Sequence, residues 1–419
     1  MLFHSPPLPL TVDYSSEGGI TTGDEEGILL ALEQRDRVRH LRLFFPVQNL
    51  QKLVTAIDKE FPILEYLIVE PWAKDNTAFM LPETLQAPNL RHLMLRGFAC
   101  PIRPRLHPTA AILVRLYLII NHPSAYFQPN TLLQWVSFMP LLESLAIDFT
   151  FPVPNRDVER QLTHTPVTTH ITLPNLRSFW FEGVSAYLEA IVCRITTPRL
   201  EVLIIRLFKQ LTFSVPRLVQ FMNTTENIVR FDDAGIVFKD KRINVLMSFL
   251  EADTNSFIVT VDCWHLDWQV SSAAQICNAL RQVFSAVEHL TLLHEVHGQS
   301  SEEHNDVDRI EWRKLLRPFS NVKTLRVKDG LVEQLSRCLR LEDGELPLDL
   351  LPELRELTYY GSRDAGGTGT FAPFIDARQN AGRPVTLVRH SLSPSPSESS
   401  FAIPTISSAS GGAGNETET

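Results

Sequence analysis

The sequence of 419 residues contains few cysteines, and their spacing matches no defined kind of cysteine site. Its five cysteines are Cys100, Cys193, Cys263, Cys277 and Cys338. None of them form the C-x-x-C pair that is typical of metal-binding or redox motifs. An odd number without such pairs indicates neither a disulfide framework nor a metal cluster, and it favours a reducing compartment. We therefore expect each cysteine to be a small buried apolar side chain.

The sequence also lacks a long apolar run and an excess of basic residues. No apolar stretch reaches the roughly 18 residues that a membrane-spanning helix needs. Residues 1–20 carry prolines and Asp13 where a signal peptide would have a basic start and an apolar run, so we expect a cytoplasmic or nuclear protein. The net charge is −9, from 39 basic and 48 acidic side chains. This balance disfavours nucleic acid and membrane as partners, because both attract a dense basic surface.

Catalytic motifs are missing too, although the segment DCWHLDW at 262–268 combines a histidine with carboxylates. His265 beside Asp262 and Asp267 has the residue types of acid–base chemistry. No nucleophile with a supporting motif accompanies them. We therefore expect Trp264 and Trp268 to pack the end of a strand, and no catalysis in this segment.

Two further segments resemble ligand sites only in composition. His294, His297 and His304 lie near glutamates, but their spacing matches no defined metal site, so we interpret them as solvated loop residues. GGTG at 366–369 lacks both the G-x-G-x-x-G pattern and the G-K-[ST] ending of phosphate-binding loops, which predicts a turn. The sequence thus predicts no enzyme, no metal and no cofactor.

What the sequence does contain is a recurring pattern, apolar-x-x-apolar-x-apolar, which appears ten times. The clearest copies begin at Leu64, Leu90, Leu142, Leu176, Leu200 and Leu354, and looser copies begin at Val38, Leu113, Val287 and Val322. Two degenerate copies, Ile228/Phe231 and Ile258/Val261/Cys263, bridge the gap between 200 and 287, which gives about 12 strands. This is the strand signature of leucine-rich repeats, and helical patterns separate many of the copies.

The pattern predicts an α/β fold, an irregular leucine-rich-repeat solenoid. A curved parallel strand ladder would line its concave side, with helices on the convex side. We expect an irregular lead-in over 1–24, the solenoid over 25–390 and a disordered tail over 391–419, because the tail is rich in Ser, Pro and Gly and has few large apolar residues. A helix near 25–34 and the segment Phe371–Val388 would cap the two ends.

The repeat register also predicts which side chains face a partner. If the second and third apolar positions of each copy point into the core, the third, fifth and seventh residues point to the concave side. Aromatic and arginine side chains there have the character of binding hot spots. The candidates are Arg42, Phe44, Tyr66, His92, Arg96, Arg115, Tyr117, Trp180, Arg206 and Arg326. The alternatives are binding through loops or the tail, and no dedicated binding surface.

Several stretches carry a family resemblance. They are AIDKEFPILEYLIV (56–69), APNLRHLML (87–95), LPNLRSF (173–179), AVEHLTL (286–292), NVKTLRV (321–327) and LLPELRELTY (350–359). Over residues 35–390 the chain resembles the irregular leucine-rich-repeat region of basidiomycete fungal F-box proteins. In that family an N-terminal F-box docks on the Skp adaptor of a cullin-RING ubiquitin ligase, and the repeats select the protein substrate.

The resemblance implies protein recognition as the function, in the substrate-binding part of an F-box-type ubiquitin ligase receptor. Residues 1–37 lack the Leu-Pro-x-Glu start and the helical triplet of an F-box. We therefore expect Skp and cullin as partners only if an F-box lies upstream of Met1. The alternative is a free-standing leucine-rich-repeat scaffold or adaptor with no ubiquitin role. F-box proteins are adaptors, so the resemblance implies no catalytic residue.

Overall fold

The structure is a computed structural model of the chain. It describes residues 8–15, 21–45, 52–53, 55–57, 59–71, 85–98, 110–122, 125–150, 170–208, 215–225, 231–249, 252–295, 307–342, 344–360 and 369–390. The strands are β1 (Leu10–Ser15), β2 (Val38–Phe45), β3 (Tyr66–Pro71), β4 (His92–Arg96), β5 (Arg115–Ile120), β6 (Ser144–Phe149), β7 (Ile171–Thr172), β8 (Ser178–Gly183), β9 (Ile195–Thr196), β10 (Val202–Leu207), β11 (Asp233–Lys239), β12 (Arg242–Phe249), β13 (Ala252–Asp262), β14 (His289–Glu295), β15 (Thr324–Lys328), β16 (Glu356–Tyr360) and β17 (Thr386–His390).

Helices occupy many of the connections between these strands. They are α1 (Thr22–Glu33), α2 (Pro129–Val136), α3 (Ser185–Val192), α4 (Pro216–Thr224), α5 (Leu266–Ala279), α6 (Arg281–Phe284), α7 (Arg309–Leu316), α8 (Val332–Leu339) and α9 (Ala372–Asn380), with a 3-10 turn at Asp329–Leu331. Side-chain caps start two of them. Thr21 accepts from the amide of Asp24 at 3.2 Å, and Asp308 accepts from the amide of Ile310 at 2.9 Å, which satisfies amides that a helix start leaves unpaired.

Fifteen strands form one sheet in the order β1-β2-β3-β4-β5-β6-β8-β10-β13-β12-β11-β14-β15-β16-β17, and β7 pairs with β9 in a separate small sheet. Neighbouring strands are parallel except where β12 meets β11 and β13. Parallel neighbours require crossover connections, and helices supply many of them here. The predicted α/β class is confirmed in this form, a large and mostly parallel sheet joined with helices.

A tight turn precedes most of the parallel strands and gives them a common register. Before β8, the amide of Leu176 donates to the carbonyl of Leu173 at 3.3 Å. Pro174 occupies the second position of this turn, where its fixed φ favours the turn geometry. Asn175 then donates to the carbonyl of Pro140 at 3.0 Å, which ties the turn to the preceding one. The same turn hydrogen bond is donated by Leu64, Leu90, Leu113, Leu142, Leu200 and Leu354.

Alternation along the strands sorts side chains onto two faces of the sheet. On β3, Leu67 and Val69 are fully buried, whereas Tyr66 and Glu70 are only partly buried. The buried side chains belong to one continuous apolar cluster, the main core, which extends along the sheet and includes residues of the helices. We call the sheet face that is turned away from this main core the second face.

The middle of the sheet departs from the predicted series of repeats. The turn at Asp240 and Lys241 joins β11 to β12, and a connection this short joins antiparallel strands. The chain then returns as β13 to pair with β10, so β11, β12 and β13 appear in reverse order. Of the two predicted degenerate copies, Ile258 and Val261 lie in β13. Phe231 precedes β11 rather than forming a strand, and Ile228 lies outside the described residues.

Both ends of the described sheet also differ from the prediction. Residues 1–24 were expected to be irregular, but Leu10–Ser15 form β1 in parallel with β2, and α1 begins at Thr22. Leu10, Val12 and Tyr14 alternate with exposed residues and pack on the main core, which explains the strand. The predicted tail, 391–419, lies outside the described residues.

A buried arginine completes the other end, where β17 pairs with β16. Arg378 on α9 has no solvent exposure. Its Nη2 donates to the carbonyls of Pro352 and Leu354, each at 3.0 Å. These carbonyls belong to the turn before β16, so the arginine supplies donors to the last such turn. The predicted cap over Phe371–Val388 thus corresponds to α9 and most of β17.

Candidate protein-binding surface

Three rows of side chains cross the second face because the strand register is shared. The first row passes from His40 through Tyr66 and His92 to Arg115. The second row includes Arg42, Ile68, Met94, Tyr117, Ala146, Trp180, Ile204, Ile258, Leu246, Thr291 and Arg326. The third row includes Phe44, Glu70, Ile119, Asp148, Glu182, Arg206, Thr260, Asn244, Val237 and Leu293. Arg96 pairs in register with Ile119 and so joins the third row.

The structure therefore places every candidate residue from the sequence on one face, in the rows that the repeat register predicted. Arg115 and Arg326 are exposed, and the other candidates are partly buried. They do not form one continuous patch. Arg326 lies toward the far end of the sheet on β15, separated from Trp180 by several strands.

An aromatic group occupies the first row near the N-terminal end of the sheet. Tyr66 lies between two histidines, with ring centroids 5.9 Å from His40 and 5.5 Å from His92. Burial lowers the pKa of His92, and the charges of Arg115 and Arg91 lower it further. His92 therefore favours its neutral form. The hydroxyl of Tyr117, in the second row, lies 3.3 Å from Oγ of Ser144, which continues the first row on β6.

Several candidate arginines already have carboxylate partners. Arg42 lies 3.7 Å from Asp13, and Arg96 forms an ion pair with Glu70 on the neighbouring strand. Arg206 contacts two carboxylates. The positive charge of these candidate arginines is thus partly neutralised within the chain itself, which the repeat pattern alone did not indicate.

An acidic cluster surrounds Arg206 on β6, β8, β10 and β13, and we define it as Asp148, Glu182, Arg206 and Asp262. Arg206 Nη1 lies 3.2 Å from Glu182 Oε1, and its Nη2 lies 3.3 Å from Asp262 Oδ2. Asp148 neighbours Glu182 in register. Asp148 Oδ1 is buried and accepts no hydrogen bond within the described structure. Two carboxylates therefore share the Arg206 guanidinium, and Asp148 lies beside them.

Burial perturbs two of these carboxyl groups strongly. It raises the pKa of Asp148 to about 6, against the lowering effect of Arg96 and Arg206. It raises the pKa of Glu182 to about 7, and the charge of Asp148 raises it further while Arg206 opposes the shift. Both groups are harder to ionise than a solvated carboxyl because too little positive charge accompanies them in a desolvated place.

An apolar patch adjoins the acidic cluster on the same face. It is a cluster separate from the main core and consists of Ile204, Val237, Leu246, Ile258 and Leu293, with Trp180 and Val202 packed against it. Its members come from β8, β10 and the reversed strands β11–β13, together with β14. The reversal of strand order therefore brings β12 and its Leu246 into the middle of the patch.

Two tryptophans lie beyond the end of β13. Trp264 and Trp268 were expected to pack the strand end, but each retains 51% exposure. Lys241 Nζ lies 4.6 Å from the Trp264 ring centroid, and His265 packs edge-on against Trp268 at 5.1 Å. The strand end is instead held by Gln269, whose Nε2 donates to the carbonyl of Cys263 at 2.9 Å.

Sequence reasoning did not single out the acidic cluster as a site, nor the β12 part of the apolar patch. Asp148 occupies the seventh position of the copy that begins at Leu142, so the same register rule would have found it. The segment RINVLMSF at 242–249 alternates Ile243, Val245 and Met247 with other residues, a strand signal that follows a turn. Asp262 occupies the fifth position of the degenerate copy that begins at Ile258, so the same rule applies to it, but the sequence analysis considered it only beside His265.

The described residues contain no group of three or more His, Cys, Asp or Glu side chains arranged to hold a metal ion. Of the predicted histidine group, His294 is half-buried at the end of β14, while His297 and His304 lie outside the described residues. Cys263, Cys277 and Cys338 are buried and Cys193 is partly exposed. In the part of the chain that the structure describes, no helix has both the length and the apolar character needed to cross a bilayer.

No family model and no curated protein matches this chain.

Proposed function

We propose that this chain is a protein-recognition module, an irregular leucine-rich-repeat solenoid that binds a partner protein on the second face of its sheet. The order of the sheet supports the solenoid part, since neighbours follow chain order from β1 to β6 and from β14 to β17. The repeated turn hydrogen bond before the strands supports it too. A stack of this kind offers one long face to another macromolecule.

The observation that carries the proposal is the composition of the second face. It combines partly exposed aromatic side chains with a separate apolar patch and a charged cluster. Tyr, Trp and Arg are the residue types that dominate binding energy at protein interfaces. The five members of the apolar patch are themselves only 3–7% exposed, so the apolar side chains that remain open to a partner there are the partly buried Trp180 and Val202 packed against it.

A narrower form of the same proposal is that this chain is the substrate-binding part of a ubiquitin ligase receptor. It rests on the resemblance of residues 35–390 to the repeat region of F-box proteins. In that form the partner is a substrate for ubiquitin transfer. The alternative is a scaffold that binds its partner without any ligase. Reconstitution distinguishes them: the native full-length protein should co-purify with a Skp adaptor in the first case and without one in the second.

Site-specific cross-linking tests the face itself. A photoreactive benzoylphenylalanine in place of Tyr117 should cross-link a discrete partner in extracts of the source cells. The matched control places the same group at Phe138, an exposed aromatic residue that follows α2 rather than lying on a strand. Cross-linking at Tyr117 but not at Phe138 supports the proposal. Equal cross-linking at both, or at Phe138 alone, contradicts it.

A further inference from the structure

We propose that two copies of this chain associate edge to edge through β1, so that their sheets join into one across a two-fold axis. This inference goes beyond the proposed function, because it concerns the edge of the sheet and leaves the second face of each copy open to a partner. The surface is β1 (Leu10–Ser15), the first strand of the described sheet, whose neighbour is β2. The occupant is β1 of the second copy, antiparallel to the first.

The apolar side of β1 is incompletely covered. Leu10, Val12 and Tyr14 pack on the main core, yet each stays partly exposed. Leu41 and Leu43, which lie beside Val12 and Tyr14 on β2, have no solvent exposure. The difference arises because β2 has a strand on each side, whereas β1 has one on a single side in the described sheet. A strand added along β1 would bury the apolar row, and apolar burial is the main favourable contribution to association.

The two edges of the described sheet differ in their protection against such pairing. At the far edge, β17 places the exposed Arg389 in register with the buried Tyr359, so a charged side chain occupies a core row. Inward-pointing charges are a device that stops edge strands from pairing. β1 contains no proline or lysine, and its one charged residue, Asp13, lies in register with Arg42 on the second face. The edge at β1 is therefore the one suited to accept a further strand.

The backbone of β1 is also regular enough to pair along its length. The register between β1 and β2 shifts between Leu10 and Thr11, but the extra residue is Arg39 on β2. An inserted residue bends the strand that carries it, which here is β2. Partly buried and exposed residues alternate along β1 without a break, so its two faces remain distinct.

Self-complementarity identifies a second copy as the occupant. Directly opposed residues of an antiparallel pair lie on the same face. With the two-fold axis at Val12, this residue opposes Val12 of the second copy, Leu10 opposes Tyr14, and Thr11 opposes Asp13. The core side then carries a β-branched pair and aromatic–aliphatic pairs, while on the second face the Thr11 hydroxyl can donate to the Asp13 carboxylate. Self-complementary contacts of this kind form two-fold dimers, the commonest protein oligomers.

The charges beside β1 determine how the association responds to salt. Asp13 lies 3.7 Å from Arg42, which supplies its counter-charge within each copy. Asp24, which accepts from the Tyr14 hydroxyl at 3.2 Å, and Glu26 add exposed negative charge at the start of α1. Each chain also carries a net charge of −9. These charges repel one another between copies, so association should strengthen as salt screens them.

Cysteine cross-linking tests this register directly. In Val12→Cys the two new thiols of a dimer occupy directly opposed positions, whose Cβ atoms lie about 4.5–5.5 Å apart. The short thiol cross-linker dibromobimane should therefore convert this variant to a covalent dimer. Leu10→Cys and Tyr14→Cys should each cross-link little alone and should cross-link when mixed. Val388→Cys is the matched control, since it replaces a partly buried valine on the other edge strand, and the wild type gives the background from native cysteines.

Sedimentation of the full chain at about 0.15 M salt, where the screening length is about 8 Å, provides the second measurement. The mass of the wild type should double as its concentration rises, and Val12→Lys should stay monomeric over the same range. A wild type that stays monomeric, or equal cross-linking in Val12→Cys and Val388→Cys, overturns the inference. Unfolding midpoints of each variant show whether a lost dimer reflects a lost fold. Cross-linking at Tyr117 tests the second face separately, so the failure of one proposal leaves the other to its own experiment.

Discussion

Asp148→Asn should stabilise the protein, although it removes a charged group from the second face of the sheet. The side chain keeps its shape, and its Oδ1 makes no hydrogen bond that the substitution would break within the described structure. Burial raises the pKa of Asp148 from 3.8 to about 6. A pKa difference of one unit corresponds to about 1.36 kcal/mol, so the ionised carboxylate destabilises the folded protein by up to about 3 kcal/mol.

The direction in which this stabilisation changes with pH follows from proton binding. The folded protein binds the Asp148 proton more tightly than the unfolded chain does, so the contribution of this group to stability decreases as pH rises from about 4 through 6. Asparagine is neutral in both states. The stabilisation by Asp148→Asn should therefore be largest near pH 8, should fall to about half near pH 5 and should vanish near pH 3.

Thermal unfolding provides the assay. With an unfolding entropy of about 2.1 cal/mol/K per residue, a gain of about 2 kcal/mol in a chain of this size raises the midpoint by roughly 2–3 °C. Asp13→Asn, whose carboxylate is 52% exposed, should change it little. A midpoint at pH 8 that falls in Asp148→Asn, or a gain that does not shrink toward pH 5, would refute the reasoning that this carboxylate is uncompensated.

Two predictions concern the supports of the fold. Arg378→Ala removes a buried side chain whose guanidinium satisfies two carbonyls at 3.0 Å, so urea unfolding should show a loss of about 3 kcal/mol or more. Arg383→Ala, with a side chain 57% exposed, should lose less than about 1 kcal/mol, and equal losses would contradict the assigned role of Arg378. Asn175→Ala breaks the hydrogen bond to the carbonyl of Pro140 and should lower stability by about 1 kcal/mol in the same assay. An unchanged urea midpoint would show that this hydrogen bond does not stabilise the protein.

The periodic strands were predictable because each one depends on local chemistry. A copy such as the one at Leu176 has Pro174 in the turn before it and apolar residues at fixed offsets, and these decide both the strand and the face of each side chain. The same rule therefore located the second face residue by residue. It needed no knowledge of what lies on the neighbouring strand.

The reversed strands were not predictable in the same way. The residues of β11, Asp233–Lys239, contain no local signal that the parallel neighbour of this strand is β14 rather than β10. That choice is made by the two-residue turn after β11 and by burial of both faces of β11, which depend on distant strands. The sequence predicted that Ile258 lies in a strand, but it did not predict the position of that strand in the sheet.

The acidic cluster shows the same limit for a site. Arg206 was predicted as a binding side chain from its place in one repeat. It also pairs with Glu182 and with Asp262, which comes 56 residues further along the chain. Charge compensation of this kind is a property of the register between strands. A pattern within one strand cannot reveal it.

The central claim is that the second face binds a protein partner. The most direct measurement is the dissociation constant for the partner cross-linked at Tyr117, compared between the wild type and Tyr117→Ala, Trp180→Ala and Phe138→Ala. A hot-spot truncation of about 2 kcal/mol corresponds to a roughly 30-fold weaker affinity, which is expected for at least one of the first two variants and not for Phe138→Ala. Unchanged affinity in both Tyr117→Ala and Trp180→Ala, with the folds intact, would contradict the claim.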